Sequence, residues 1–319
     1  MRFHPLRLLG ASALLASLAG CTAGPNYHRP DVPVAPQWKE EAPWRAASPQ
    51  DGIPKGGWWT MFGDDELSGY EAQSLKANAT IDIARNQLQQ ARASVRITQS
   101  GLFPQLTAGF SAQRSSTSAN QPTASGIPLA GASARNSFSI PFNATWEADV
   151  FGGVRRNVES SNAAYQASAA GLENVRLVVT SELAVDYFSL RELDSEIAVV
   201  DSAVQYQSKA LTLVKNRHDG GVASGLDVAQ QETQLNATRT QATLLRRQRA
   251  QFEHAIAALA GVPASGFSVP VKPLIIAPPV IPQGVPSDVL ERRPDVAQAE
   301  RAMAAQNAQI GRASCRERV

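Results

Sequence analysis

The chain has 319 residues, with 30 Lys plus Arg against 28 Asp plus Glu and two cysteines. This balance excludes the basic surface of a nucleic-acid binder, and no apolar run of about 20 residues marks a mature membrane helix. The length allows one large domain or two.

Residues 1–20 open MRFHPLRLLG, with Arg2 and Arg7 ahead of a short apolar core and small residues. This is the pattern of a bacterial secretory signal, too short to span a bilayer. Leu18-Ala19-Gly20-Cys21 reads as a lipobox, which makes Cys21 the expected lipidation site. Acyl chains there would anchor the chain at roughly 0.8 kcal/mol per buried methylene. Thr22, rather than Asp, follows the cysteine and matches the sorting pattern of outer-membrane lipoproteins. That covalent lipid is the only non-protein group expected; no cofactor is implied.

Residues 21–65 are rich in Pro, Gly and Trp and read as an extended tether. Asp64-Asp65-Glu66 then place negative charge where a helix N-terminus favours it. The spacing predicts one helix over 66–102. In residues 103–151 the periodicity changes to two. Leu106, Ala108, Phe110 and Ala112 alternate with polar or small residues. After a Ser/Ala/Gly-rich loop, Phe138, Ile140, Phe142, Ala144, Trp146, Ala148 and Val150 alternate with Ser139, Pro141, Asn143, Thr145, Glu147 and Asp149. These are two long, two-faced strands.

Residues 152–260 predict a long helical hairpin. From Val154 to Asp219 there is no Pro and little Gly, which gives roughly 100 Å of helix at 1.5 Å per residue. Leu172, Val175, Val179, Leu183, Leu190, Leu193, Ile197, Val200, Val204, Leu211 and Val214 form a coiled-coil seam. Gly220-Gly221 end the first arm, and Ser224 and Asp227 have the spacing of a capping box. Residues 261–287 are a Pro-rich linker. Residues 288–311 begin a second repeat: at an offset of 215, Leu75 meets Leu290, Ile81 meets Val296, Ala84 meets Ala299, Leu88 meets Met303, Ala93 meets Ala308 and Val95 meets Ile310. Residues 310–319, IGRASCRERV, match at every position the translation of a common sequencing adapter. Residues 312–319 are therefore read as artefact, the chain as a fragment, and Cys315 as no disulfide partner. Without the signal and tail, the formal charge moves from +2 to about −2.

Two strands cannot cross a membrane alone, because unpaired edges in lipid are too costly. Closure needs more strands than one chain supplies, so several chains must share a barrel. Phe138, Ile140, Phe142 and Trp146 would then face lipid. Asn143, Thr145, Glu147 and Asp149 would line water. The histidines are scattered without metal-ligand spacing, and no nucleophile elbow or phosphate loop is present.

The lipobox, WWTMFGDDEL, ATWEADVFGGVRR, GGVASGLDVAQQETQL and LERRPDVAQAE together resemble the TolC-like outer-membrane factors. The match is closest to the lipoprotein branch, NodT type, which serves RND multidrug efflux pumps. The resemblance implies a mixed α and β fold: long α-helical coiled-coil hairpins forming a periplasmic α-barrel, plus transmembrane β-strands contributing to a trimeric 12-stranded β-barrel. Only the first structural repeat would be present here. It implies a homotrimer in the outer membrane, lipid-anchored and extending into the periplasm, partnered by a periplasmic adaptor (membrane fusion) protein and an inner-membrane RND transporter. It implies no nucleic acid, no enzyme activity and passive conduction of drugs or toxic compounds. Gly221, Val222, Ser224 and Leu226 match the adaptor-docking tip, and Asp227 matches a periplasmic gate. Gly220-Gly221 can equally only turn the chain, and Ser224 and Asp227 only cap a helix. Two alternatives remain: a duct for type I secretion, and a periplasmic coiled-coil scaffold lipoprotein without a pore.

Overall fold

The computed structural model describes residues 24–30, 56–116, 134–273 and 293–316. Cys21, most of the tether, the loop between the strands and most of the Pro-rich linker lie outside the described residues. The chain divides into two compact units. One holds residues 30–90 and 166–301; the other holds the residues up to 29, 91–165 and those from 302 onward.

In the first unit a 3-10 turn, Trp58–Phe62, leads into helix α1, Asp65–Ala77. Asp64 caps α1, accepting the amides of Glu66 and Leu67 at 2.9 and 3.0 Å. The Tyr187 hydroxyl donates to its other oxygen at 2.8 Å. Burial works to raise the Asp64 pKa, but the hydrogen bonds from Leu67, Tyr187 and Glu66 outweigh it and hold the carboxyl below its ordinary value.

The single helix expected over 66–102 is two helices. Asn78 is extended at ψ 123°, and its side-chain oxygen accepts the amides of Thr80 and Ile81 at 2.9 and 3.2 Å. Those are orphan donors of the next helix, α2, Ala79–Ser100, so the break is an N-cap. The Asn78 amide nitrogen donates to the Leu259 carbonyl at 2.9 Å, which ties the joint to the hairpin.

Helix α3, Gly153–Asp219, runs 67 residues. Helix α4, Gly225–Leu259, returns beside it. The ion pairs Lys215–Glu232, Asp201–Arg246 and Asp194–Arg249 cross the hairpin in antiparallel order. The predicted seam faces inward: Leu172, Val179, Leu183, Leu190 and Leu193 are buried, as are Leu235, Leu245 and Ile256 of α4. Trp59, Leu67, Tyr187 and Val269 complete the core where α1 packs on the hairpin.

A buried ionic cluster lies in the same unit. Asp194 accepts from Arg191 at 3.2 Å, Arg249 at 2.5 Å and the Lys272 amide at 3.0 Å. Arg191 also donates to Glu66 at 2.6 Å and to the Pro270 carbonyl at 2.5 Å. Arg249 donates to Glu253 and to the Val269 carbonyl at 3.0 and 2.7 Å. Helices α1, α3 and α4 and the segment after α4 are thus held by side chains whose charges are mutually paired. Breaking one partner of such a cluster leaves an uncompensated buried charge.

In the second unit four short strands appear: β1 Gln105–Ala108, β2 Ser111–Ser115, β3 Arg135–Ser139 and β4 Phe142–Thr145. β1 pairs with β4 and β2 with β3, both antiparallel. Gln105 opposes Thr145 and Ser111 opposes Ser139 in one unbroken register. The gap falls at Gly109-Phe110 and Ile140-Pro141, where Pro141 has no N–H to give the ladder. The Gly109 amide still donates to the Pro141 carbonyl at 3.0 Å, so the register crosses the gap.

Helix α5, Pro294–Arg316, also belongs partly to this unit. The repeat alignment matches its Val296, Met303 and Ile310 to the helical face carrying Ile81 and Val95. Ile81 and Val95 are buried, at 1% and 8% exposed, whereas Val296, Met303 and Ile310 are 39–54% exposed. α5 buries small residues instead, Ala305, Ala308 and Gly311.

Candidate functional site: amphipathic ribbon and hairpin tip

The register joins the two predicted strands into one ribbon, 105–115 against 135–145. Directly opposed residues point to the same face of an antiparallel pair. Leu106 opposes Ala144, Ala108 opposes Phe142 and Ala112 opposes Phe138. Thr107 opposes Asn143, Gln105 opposes Thr145 and Gln113 opposes Ser137. The apolar face is therefore common to both strands, and so is the polar face. Leu106, Phe110, Phe138, Ile140 and Phe142 are 62–79% exposed, an apolar surface with no cover among the described residues. Arg114 opposite Asn136 ends that face at the loop side. Each arm spans eleven positions, within the length of about 9–11 residues that a tilted membrane strand needs. No helix among the described residues is long and apolar enough to cross a membrane.

Of the predicted lipid-facing residues, Phe138 and Phe142 lie on the ribbon, Ile140 sits in its gap, and Trp146 follows β4. The Trp146 indole donates to the Leu102 carbonyl at 3.3 Å. Of the predicted pore-lining residues, Asn143 and Thr145 lie on β4, while Glu147 and Asp149 lie beyond it. The alternation outlasts the strand because the chain turns toward α3. Asp149 is a cap: its carboxylate accepts the amides of Val154 and Arg155 at 3.0 and 2.9 Å. A carboxylate on the first-turn amides of a helix satisfies orphan donors and the helix dipole together.

The tip lies between α3 and α4. Gly221 has φ +74°. Its amide donates to the His218 carbonyl and the Val222 amide to the Arg217 carbonyl, both at 2.8 Å. This is a Schellman closure, which needs a left-handed residue and so favours Gly. Ser224 then opens α4. Its hydroxyl oxygen accepts the Asp227 amide at 3.2 Å, and its own amide donates to Asp227 at 2.9 Å. The Ser224 hydroxyl also donates to the Asp227 carboxylate at 2.8 Å, and the bonds that Ser224 donates, backbone first and hydroxyl second, lower the Asp227 pKa. The His218 ring meets the Ala223 carbonyl at 2.9 Å across the turn. Val222 and Leu226 are left 70% and 66% exposed. The tip thus combines a self-contained polar turn with two bare apolar side chains.

Helix α3 carries a second row, outside the inward seam. Val178, Val185, Val199, Tyr206 and Leu213 recur at multiples of seven and are 54–71% exposed, with Glu192 at the vacant step. Trp58, Phe62, Ala184 and Phe188 line a shallow apolar groove beside Val185 and Glu192. An apolar heptad row on an already packed helix is a surface for a further helix. It was legible as spacing alone, hidden by the stronger inward seam.

The family profile for outer membrane efflux proteins matches residues 72–262. The toluene efflux pump outer membrane protein TtgC of Pseudomonas putida is 28% identical over 309 residues, covering 96% of this chain and 63% of that protein. Nodulation protein T of Rhizobium leguminosarum bv. viciae is 27% identical over 313 residues, covering 97% and 61%. The solved outer-membrane channel OprN superposes with a TM-score of 0.75 at 29% identity, covering 92% of this chain and 64% of that one. The chain therefore spans less than two thirds of the length of these relatives. With a profile matching more than half its residues, the chain belongs to the outer membrane efflux protein family.

Proposed function

We propose that this chain is part of the outer-membrane channel of a tripartite efflux system. Drugs or toxic compounds would pass through it passively from an inner-membrane RND pump and a periplasmic adaptor, with no chemical step by the channel. The observation that carries this reading is the ribbon. Two strands of membrane length share one apolar and one polar face in an unbroken register, on a chain whose next element is a 67-residue helix. Open ribbon edges demand further strands, and a homotrimer whose protomers each carry a second such ribbon in the second repeat would supply them. The exposed heptad row of α3 supports such an assembly. Lipid on Cys21 would hold the protein at the outer membrane, with the hairpin in the periplasm. Val222, Leu226, Gly221 and Ser224 would meet the adaptor, and Asp227 would help hold the periplasmic end closed.

Conductance across planar bilayers tests the reading. Purified protein carrying both repeats, inserted from detergent, is expected to give discrete channel steps, and Asp227→Ala to raise both conductance and antibiotic uptake. Ser224→Ala breaks the cap while keeping the charge. If Ser224→Ala leaks as much as Asp227→Ala, Asp227 acts only as a cap. The absence of any conductance step would leave the channel reading without support.

A further inference from the structure

The ribbon carries two charged residues, Arg114 and Arg135, both at its loop end. Arg135 opposes Ser115 on the polar face. Arg114 opposes Asn136, two positions beyond the Ala112–Phe138 pair, and so lies on the apolar face. It is the ribbon's single charge on that face. Arg114 and Asn136 are exposed, and no carboxylate among the described residues pairs with Arg114. At the other end of the same face stands Trp146, 61% exposed. Ten positions separate it from Asn136. At about 3.3 Å each they span roughly 33 Å of strand, and a tilt of about 40° brings that to roughly 25 Å across a bilayer. This is about the height of the apolar band of an outer-membrane barrel, whose rims are marked by aromatic residues. With Trp146 at one rim, Arg114 and Asn136 would fall at the other, level with the lipid headgroups.

A cation on a lipid-facing strand is costly at mid-bilayer and nearly free at the rim, so this height is where a guanidinium is tolerated. It is also where headgroup phosphate oxygens lie. The guanidinium fork matches two oxygens of one phosphate. The Asn136 side-chain amide, on the facing strand about 5 Å away at Cβ, supplies a further donor. We propose that Arg114 and Asn136 bind the phosphate of a lipid headgroup in the leaflet at the loop end of the ribbon. The proposal rests on the channel reading, which puts the ribbon in the outer membrane with α3 on the periplasmic side, so that this leaflet is the outer one. A phosphomonoester headgroup fits best, since it brings nearly two negative charges and three acceptor oxygens to the two side chains. The occupant is a lipid and not free phosphate, because its acyl chains would lie against Phe138 and Ala112 just below. An inorganic ion lacks those contacts. Arg135, on the opposite face, takes no part.

The assembled protein carrying both repeats is titrated in detergent with dioleoylphosphatidic acid, and bound lipid is counted by native mass spectrometry. Dioleoylglycerol, with the same chains and no phosphate, is expected to bind far less. Arg114→Gln is expected to weaken phosphatidic acid retention about tenfold at one site per protomer, the worth of one charge-assisted bond. Arg114→Lys keeps the charge without the fork and should fall between. Arg135→Gln makes the same charge change on the other face and should retain lipid as the parent does. Equal retention by the parent and Arg114→Gln, or an equal loss in Arg135→Gln, overturns the site. Displacement by equimolar inorganic phosphate would mean a simple anion site and overturn the lipid assignment. Quenching by brominated-chain phosphatidylcholine in vesicles scores the channel reading separately. Quenching that disappears in Trp146→Phe puts the ribbon in lipid. That result with equal retention removes the site alone. No such quenching removes the channel reading, and the leaflet assignment with it.

Discussion

Glu71 is the most exacting test of the packing between α1 and the hairpin. It is fully buried, and neither carboxylate oxygen has a hydrogen-bond partner among the described residues; the Ser74 hydroxyl one turn on is in the same position. Burial alone pushes its pKa from 4.5 to about 8. In the unfolded chain the group titrates near its ordinary value. Between about pH 4.5 and 8 folding therefore takes up one proton, and stability falls as pH rises through that window. At 1.36 kcal/mol per unit, the full shift amounts to at most about 5 kcal/mol. Glu71→Leu and Glu71→Gln abolish the titration. Each changes the packing too, but that change is the same at every pH. The decisive quantity is the variant-minus-parent stability at pH 8 less the same difference at pH 4.5. It should be positive and about 4 kcal/mol for both variants, a little under the full shift because each end of the window leaves one state half-titrated. Guanidinium denaturation in detergent, followed by the fluorescence of Trp58 and Trp59 in the adjoining core, measures it. Parallel pH profiles for parent and variants would refute the argument that Glu71 folds as a neutral acid.

Three further outcomes follow from named contacts. Asp194→Ala should cost roughly 3–5 kcal/mol, because buried Arg191 loses a partner, while Asp201→Ala on the exposed Arg246 pair should cost below about 1 kcal/mol; denaturation midpoints compare them. Gly221→Ala should cost only about 1 kcal/mol, for the left-handed backbone alone. Gly261→Ala should cost more in the same assay, since its Cβ would lie 2.4 Å from the Ala77 carbonyl oxygen as well. Phe142→Lys should sharply reduce recovery of folded protein in outer-membrane fractions and Asn143→Lys should not, because adjacent ribbon residues face opposite environments; equal recovery would count against the lipid-facing assignment.

The elements most readily read from sequence were those with a period. The inward seam of α3, the Gly-Gly tip and the Ser224–Asp227 box each depend on residues a few positions apart. The alternation of residues 138–150 gave the two faces of a strand but not its end, because Asp149 continues the pattern while its carboxylate already serves α3. Asn78 carries an N-cap residue type, yet it sits in an otherwise helical run, and the bond from its amide nitrogen to the distant Leu259 carbonyl has no local signature. The ribbon register and the cluster joining Glu66, Arg191, Asp194, Arg249 and Glu253 are long-range facts. Residues up to 187 positions apart meet there only after the hairpin closes, and no local pattern marks them.

The turn at the tip has a consequence for recognition. The amides of Gly220, Gly221, Val222, Ala223 and Ser224 all have acceptors within the turn. An approaching partner cannot recognise these five amides without breaking bonds the turn already makes. What it meets instead is the bulk of Val222 and Leu226, which have shape but no directional demand. Were the tip the docking site proposed above, such a contact would require of the partner only an apolar notch of suitable width, with no hydrogen-bonding group aimed at these amides.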